Sequence, residues 1–85
     1  MNFELLYTKR AVRDIQKLNE RTKSRIKIAL ETYSENPFRY LEKLTNSSFG
    51  DYRFRIGDYR VIFDIDVNKI VVLRVGHRKE IYKGK

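Results

Sequence analysis

The chain has 85 residues, 41% of them hydrophobic and 13% aromatic, which is enough for one buried core in a single domain spanning residues 1–85. It has no cysteine and one histidine, which excludes a disulfide framework, a thiolate nucleophile and a cysteine-ligated metal, and no metal or other cofactor is expected. Nineteen Lys and Arg against eleven Asp and Glu give a formal charge of +8, which favours nucleic acid or the ribosome as partner, with an acidic protein or a membrane surface as competitors.

The distribution of apolar residues also bears on location. Glu4 precedes any apolar run, and the longest uninterrupted aliphatic stretch is residues 70–73. Neither a signal peptide nor a membrane span is therefore expected. With no cysteine to oxidise, the expected compartment is the reducing cytoplasm.

The first part of the chain predicts a strand followed by two helices. Over residues 3–7 large apolar residues recur at every second position, which predicts a short strand with one apolar face. Thr8 is a suitable N-cap for a helix that Asn19 ends. A second helix is predicted over residues 21–34 and stops at Asn36-Pro37. Helical spacing assigns buried positions in the first helix to Ala11, Val12, Ile15 and Leu18, and in the second to Ile26, Ala29, Leu30 and Tyr33.

The second part of the chain predicts a three-stranded meander. Residues 38–50 have no regular period and indicate a loop, including Asn46, Ser47 and Ser48, with Leu41 and Leu44 against the core. Residues 52–56, 59–65 and 70–75 are rich in β-formers and are separated by turns. The predicted fold is α+β, in the order β-α-α-β-β-β, with the helix hairpin packed on one face of a small, mainly antiparallel sheet.

A two-residue turn at Gly57-Asp58, of type II′, sets the register of the first two strands of the meander. It pairs Arg55 with Arg60, and it places Arg53, Arg55 and Arg60 together on the sheet face that the helices leave open. Like charges directly opposite each other cost about 0.2–1 kcal/mol, so an anion such as a phosphate is expected there. The alternative is that these arginines are solvated charges that limit edge-to-edge aggregation.

The next turn, at residues 66–69, extends this register to the last strand. Continued without interruption, it pairs Val75 with Arg60 and brings Gly76-His77-Arg78 to the edge of the arginine cluster, with His77 on the arginine side. The same register assigns Arg74 to the helix-covered face. That position requires either a β-bulge or a side chain that reaches the rim of the sheet.

Three segments together resemble the RelE/ParE superfamily of toxins: Tyr52-Arg53-Phe54-Arg55, Gly57-Asp58-Tyr59-Arg60-Val61, and Val75 through Tyr82 with the sequence VGHRKEIY. They follow a helix hairpin in a chain of suitable length, and the resemblance covers nearly the whole chain. It implies a RelE-like fold and the toxin of a type II toxin–antitoxin system. The implied activity is a ribosome-dependent endoribonuclease that cleaves mRNA by attack of a 2′-hydroxyl on the adjacent phosphate. The implied partners are a cognate antitoxin, the ribosome and mRNA, with no membrane.

The resemblance also implies roles for single residues. Arg60 and Arg78 match the phosphate-binding and leaving-group arginines of the family, and Tyr82 matches a tyrosine that stacks on a base. Arg53 and Arg55 stand where RelE-type enzymes have lysines, and a guanidinium is a poor general base. From the residues themselves, His77 is the side chain that titrates near neutrality, and it is either a proton-transfer group or a surface histidine bonded to a carbonyl.

Two other functions remain open from the sequence. One is inhibition of DNA gyrase in the manner of ParE toxins, and the other is non-catalytic binding of nucleic acid by a basic module. A gyrase inhibitor has no need for a stacking tyrosine beside an arginine cluster. A plain binding module accounts for the charge but not for the order of the three segments.

Overall fold

A computed structural model describes residues 2–45 and 49–83 of the chain. The predicted loop residues Asn46, Ser47 and Ser48 lie outside the described residues. The elements, in chain order, are β1 (Glu4–Tyr7), α1 (Lys9–Gln16), α2 (Glu20–Tyr33), a 3₁₀ turn (Pro37–Arg39), β2 (Glu42–Lys43), β3 (Tyr52–Ile56), β4 (Tyr59–Asp66) and β5 (Lys69–His77). Within the described ranges, neither helix is long and apolar enough to cross a membrane.

Side-chain caps begin both helices. The hydroxyl of Thr8 accepts a hydrogen bond from the Ala11 N–H at 3.1 Å, as its predicted capping role requires. Asn19 has the equivalent position for α2, where its side chain accepts from the Thr22 N–H at 2.8 Å. Asn19 was predicted to end the first helix. Instead, α1 ends at Gln16 and Asn19 begins α2, because asparagine satisfies free N–H groups at a helix start.

The five strands form one mixed sheet in the order β1-β5-β4-β3-β2. The meander β3-β4-β5 is antiparallel, and β1 pairs with β5 in parallel. The two-residue strand β2 pairs antiparallel with β3 inside the segment predicted to be a loop. Two residues are too few for a periodic signal, so this strand exists only through its pairing. The architecture is α+β, with two helices packed on the sheet.

The helices cover one face of the sheet and form the core with it. Leu41 packs against this core as predicted, whereas Val12 is 41% exposed. Val12 lies on the border of the apolar stripe of α1, where the helix leaves a groove open beside β1. The buried members of the core are Ala11, Ile26, Leu30, Phe54, Ile56, Val61, Phe63, Ile70, Val72 and Val75.

A β-bulge between β4 and β5 changes the predicted register. Phe63 pairs with Val72, but its neighbour Ile62 pairs with Arg74, so Leu73 is the extra residue. Because side chains alternate, one extra residue exchanges the two faces for the rest of the strand. Val75 therefore enters the core opposite Val61, rather than pairing with Arg60 as predicted.

The bulge also removes Arg74 from the helix-covered face. Its Nε donates to the carboxylate of Asp14 at 2.8 Å, and the same oxygen accepts the Val75 N–H at 3.0 Å. Asp14 is only 9% exposed, and the Nε of Arg10 lies 3.7 Å from its second oxygen. β1 pairs with β5 only as far as Val72, so the Val75 N–H has no strand partner on that side. The carboxylate of Asp14 accepts this hydrogen bond instead and so joins α1 to the sheet.

Candidate polyanion site on the arginine face

The predicted register between β3 and β4 is confirmed at every pair. Arg55 lies opposite Arg60, and Arg53 lies opposite Ile62. Their neighbours Phe54 and Val61 are in the core, so the three arginines are on the other side of the sheet. We call this side, with Arg53, Arg55 and Arg60, the arginine face.

The prediction that this face is open sheet is wrong, because the C-terminal segment folds back over part of it. The Ile81 N–H donates to the His77 carbonyl at 2.9 Å, and the Ile81 side chain is 1% exposed. A β-carbon on Gly76, which pairs with Arg60, would lie 3.0 Å from the Cδ1 of Ile81. Ile62, on the same face, is fully buried. A small second core therefore lies directly beside the arginines.

Arg60 is held firmly and is largely buried. It is 6% exposed, and its Nη1 donates to the carbonyls of Gly57 and Tyr59, each at 2.9 Å. Burial has the largest effect in lowering the pKa of Arg60, and the charges of Arg55 and Arg53 lower it further. A guanidinium in this position gains from a bound anion, which would offset both effects.

Glu42 on β2 is the functional-site residue that the sequence reasoning missed. Its carboxylate accepts from the Nε of Arg53 at 2.8 Å and lies 3.5 Å from the Nη1 of Arg55. The hydrogen bond from Arg53 is the main cause that lowers the pKa of Glu42. In the sequence, Glu42 stands out only as the one acidic residue between Glu35 and Asp51, and nothing in residues 38–50 indicates pairing with β3.

Tyr82 also lies on the arginine face, beside Arg53. Its hydroxyl accepts a hydrogen bond from the Nη1 of Arg53 at 2.7 Å, while the ring is in edge-to-face contact with Phe49 at 6.0 Å. The hydrogen bonds to Tyr82 and Glu42 raise the pKa of Arg53. Tyr82 is 37% exposed, so part of the ring is accessible to a base.

Arg78 lies at the tip of the β3–β4 hairpin. Its backbone N–H donates to the Asp58 carbonyl at 2.7 Å, and its Nε is 3.8 Å from the Asp58 carboxylate. The side chain is 53% exposed and keeps most of its hydrogen-bonding capacity for a ligand.

His77 does not lie on the arginine face, contrary to the prediction. It pairs with Tyr59, whose ring it contacts edge to face at 5.4 Å, and Tyr59 packs against the helix-side core. Its Nδ1 accepts the Lys79 N–H at 3.1 Å. The bulge at Leu73 is the cause, because one extra residue moves His77 to the opposite side of the sheet.

The arrangement of these groups suits the binding of a polyanion. The charges of Arg53, Arg55 and Arg78 act on the fixed guanidinium of Arg60, and Tyr82 offers an aromatic surface next to Arg53. Such a face can bind consecutive phosphates and stabilise negative charge on one of them. The fold and this face define a small basic α+β domain with a cluster of arginines on the sheet face opposite the helices.

Comparison with known proteins identifies the family. The sequence profile of the ParE toxin of the type II toxin–antitoxin system parDE matches residues 5–82. Toxin RelG of Mycobacterium tuberculosis is 33% identical over 98% of this chain and 99% of its own length, and toxin RelE3 of Methanocaldococcus jannaschii is 30% identical over 93% and 94%. The toxin–antitoxin complex RelBE2 of M. tuberculosis contains a similar chain, with a TM-score of 0.80, 29% identity, and coverage of 92% of this chain and all of that one. The chain belongs to the RelE/ParE superfamily and is a type II toxin.

Proposed function

We propose that this toxin is an endoribonuclease that cleaves mRNA on the ribosome. The observation that carries the proposal is a cluster of arginines with a tyrosine at its side. Arg53 donates to the Tyr82 hydroxyl, Arg60 is fixed by two carbonyls, and the charges of Arg55 and Arg78 act on Arg60. RNA cleavage through the 2′-hydroxyl requires positive charge around one phosphate and a surface for the neighbouring base. The names of the two similar toxins, RelG and RelE3, support the RelE branch of the superfamily over the ParE branch.

In the proposed reaction, the 2′-hydroxyl loses its proton and its oxygen attacks the adjacent phosphorus, while the bond from phosphorus to the 5′ oxygen breaks. The products are a 2′,3′-cyclic phosphate and a 5′-hydroxyl, whose oxygen takes its proton from the ribosome–mRNA complex or from water. Arg60 and Arg55 stabilise the extra charge on the phosphorane, and Arg78 lies at the leaving-group side. Arg53 binds the RNA backbone and orients Tyr82 through the hydrogen bond to its hydroxyl, so that the ring stacks on a base.

No residue of the arginine face is assigned the role of proton acceptor. Arginine is a poor base, and the carboxylate of Glu42 is engaged by Arg53 and Arg55, which lower its pKa. His77 lies on the other side of the sheet. We therefore assign proton removal to a group of the ribosome–mRNA complex, which would make cleavage depend on translation.

We also propose that a cognate antitoxin binds this chain. Similar chains occur in toxin–antitoxin complexes, and this chain has an apolar groove of about 400 Å³ between α1, α2 and β1. Its lining has Lys23 and Lys27 against one acidic residue, Glu31, and this net positive charge suits an acidic helix or strand with an apolar face. The apolar part of the lining consists of Leu5, Tyr7, Val12, Ile15, Ile26 and Leu30.

The experiment that tests the enzymatic proposal is primer extension on translated mRNA with the Arg78→Ala variant. Loss of one charge-stabilising group costs about 10²–10³ in rate by analogy with oxyanion donors. Arg78 is exposed, so the variant should keep the melting temperature of the wild type. Arg39→Ala, an exposed arginine of the 3₁₀ turn, is the matched control and should cleave normally.

Two results would contradict the proposal. Cleavage by Arg78→Ala at the wild-type rate would remove the arginine face from the chemistry. Stalled replication with intact transcripts, in cells that express the wild type, would instead favour inhibition of DNA gyrase in the manner of ParE toxins.

A further inference from the structure

The tip of the β3–β4 hairpin has a contact from α2 that no role described so far explains. Gly57 has a φ of +59°, a conformation that glycine adopts without strain. The guanidinium of Arg25 lies directly against it: a β-carbon at position 57 would fall 2.6 Å from the Nη2 of Arg25 and 2.9 Å from its Cζ. The glycine thus gives both the turn and the space that this arginine occupies.

Two other arginines contact the same two-residue turn. Arg60 donates to the Gly57 carbonyl from the arginine face, and the Arg78 backbone N–H donates to the Asp58 carbonyl. Three arginines from α2, β4 and the segment after β5 therefore meet at one turn. The only carboxylate within the turn, Asp58, is 67% exposed and faces Arg78 at 3.8 Å. The tip has an excess of positive charge.

No polar partner among the described residues holds Arg25 in this position. In residues 2–45 and 49–83 its side chain has no ion pair and no hydrogen bond, and the residue is exposed. Charges of one sign that are held together repel one another unless a ligand of opposite sign binds.

We propose that Arg25 binds a phosphate of the RNA next to the phosphate held by Arg60 and Arg78, so that the RNA strand passes over the hairpin tip from the arginine face towards α2. The flat guanidinium on Gly57 leaves its outer N–H groups free for phosphate oxygens. The inference rests on the proposed function, because it extends the same RNA site by one phosphate. It assigns a substrate contact to a helix residue outside the three segments that resemble the family.

The test is equilibrium binding of a fluorescently labelled single-stranded RNA, measured by anisotropy between about 50 and 200 mM salt. Each phosphate contact in a single strand contributes about 0.7 to the slope of log affinity against log salt, or about fivefold in affinity per tenfold change in salt. Arg25→Ala should lower the slope by that amount, and Arg25→Lys should restore most of it. Lys27→Ala is the matched control, since it removes one charge from the same helix on the groove side.

The outcomes separate this inference from the function on which it rests. If Arg78→Ala lowers the slope while Arg25→Ala equals Lys27→Ala, the Arg25 contact is wrong and the arginine site stands. If wild type, Arg78→Ala and Arg25→Ala all give the same slope, the arginine site itself is wrong and the inference fails with it. Alanine favours helix at an exposed position, so the melting temperature of Arg25→Ala should match that of Lys27→Ala.

Discussion

Replacing Asp14 with alanine should destabilise this protein more than the loss of any surface charge. The change leaves Arg74, which is 19% exposed, without its carboxylate, and it leaves the Val75 N–H without an acceptor. Breaking a buried pair by removing one partner costs about 3–5 kcal/mol, and the residual exposure of Arg74 favours the lower end. A chain of this length has a total stability of about 4–13 kcal/mol, so the loss is a large fraction.

Thermal unfolding followed by circular dichroism measures this loss. At about 4–8 °C per kcal/mol for a domain of this size, a loss of about 3 kcal/mol lowers the melting temperature by about 12–24 °C. Asp14→Asn should lose less, because its side-chain oxygen can still accept the Val75 N–H. Glu20→Ala is the control, since this carboxylate is 90% exposed and its pair with Lys23 contributes about 0.2–0.5 kcal/mol.

One result would refute this reasoning. If Asp14→Ala melts within about 2 °C of Glu20→Ala, the contact of Asp14 with β5 contributes no more than an exposed ion pair. The link between α1 and the end of β5 would then have to come from apolar packing alone.

Two further predictions concern the arginine face and its surroundings. Glu42→Gln should bind single-stranded RNA several-fold more tightly at pH 7, because the carboxylate competes with phosphate for Arg53. The two proteins should bind RNA alike only once Glu42 is protonated and neutral. Since the pKa of Glu42 is lowered, the difference in affinity should persist as pH falls to about 5 and close only below about 4.3, the ordinary glutamate pKa. A difference in affinity that closes near pH 6 would contradict this. His77→Ala should leave the rate of mRNA cleavage and its pH profile unchanged, because the His77 ring contacts Tyr59 on the side of the sheet away from the arginine face. A large loss of cleavage rate with normal ribosome binding would restore His77 as a proton-transfer group.

In the free protein, the carboxylate of Glu42 occupies the place that we propose for a phosphate of the RNA. Without it, Arg53, Arg55 and Arg60 would repel one another across a ladder that pairs two of them directly. The carboxylate of β2 binds two of these guanidinium groups and is itself 41% exposed, so a phosphate can displace it without opening the core. The fold can therefore keep the cluster together in the absence of RNA.

The sequence by itself determined the arginine face. Side chains alternate along a strand, and a two-residue turn fixes which residues of two neighbouring strands are opposite each other. From Gly57-Asp58 alone, the pairing of Arg55 with Arg60 and the separation of arginines from core residues followed, and the structure confirms both. Thr8 as a helix cap is equally local, because the cap bonds a backbone group only three residues away.

Only the tertiary structure decided the positions that depend on β5 and β2. The predicted place of Arg74 on the helix-covered face calls for a bulge or for a side chain that reaches the rim, but the sequence does not choose between the two. The bulge at Leu73 exchanges the two faces and so places Val75 in the core and His77 away from the arginines. Asp14 and Arg74 are 60 residues apart, and Glu42 is 11 residues from Arg53. Such pairs form because packing brings distant segments together, and no local pattern along the chain encodes which partners will meet.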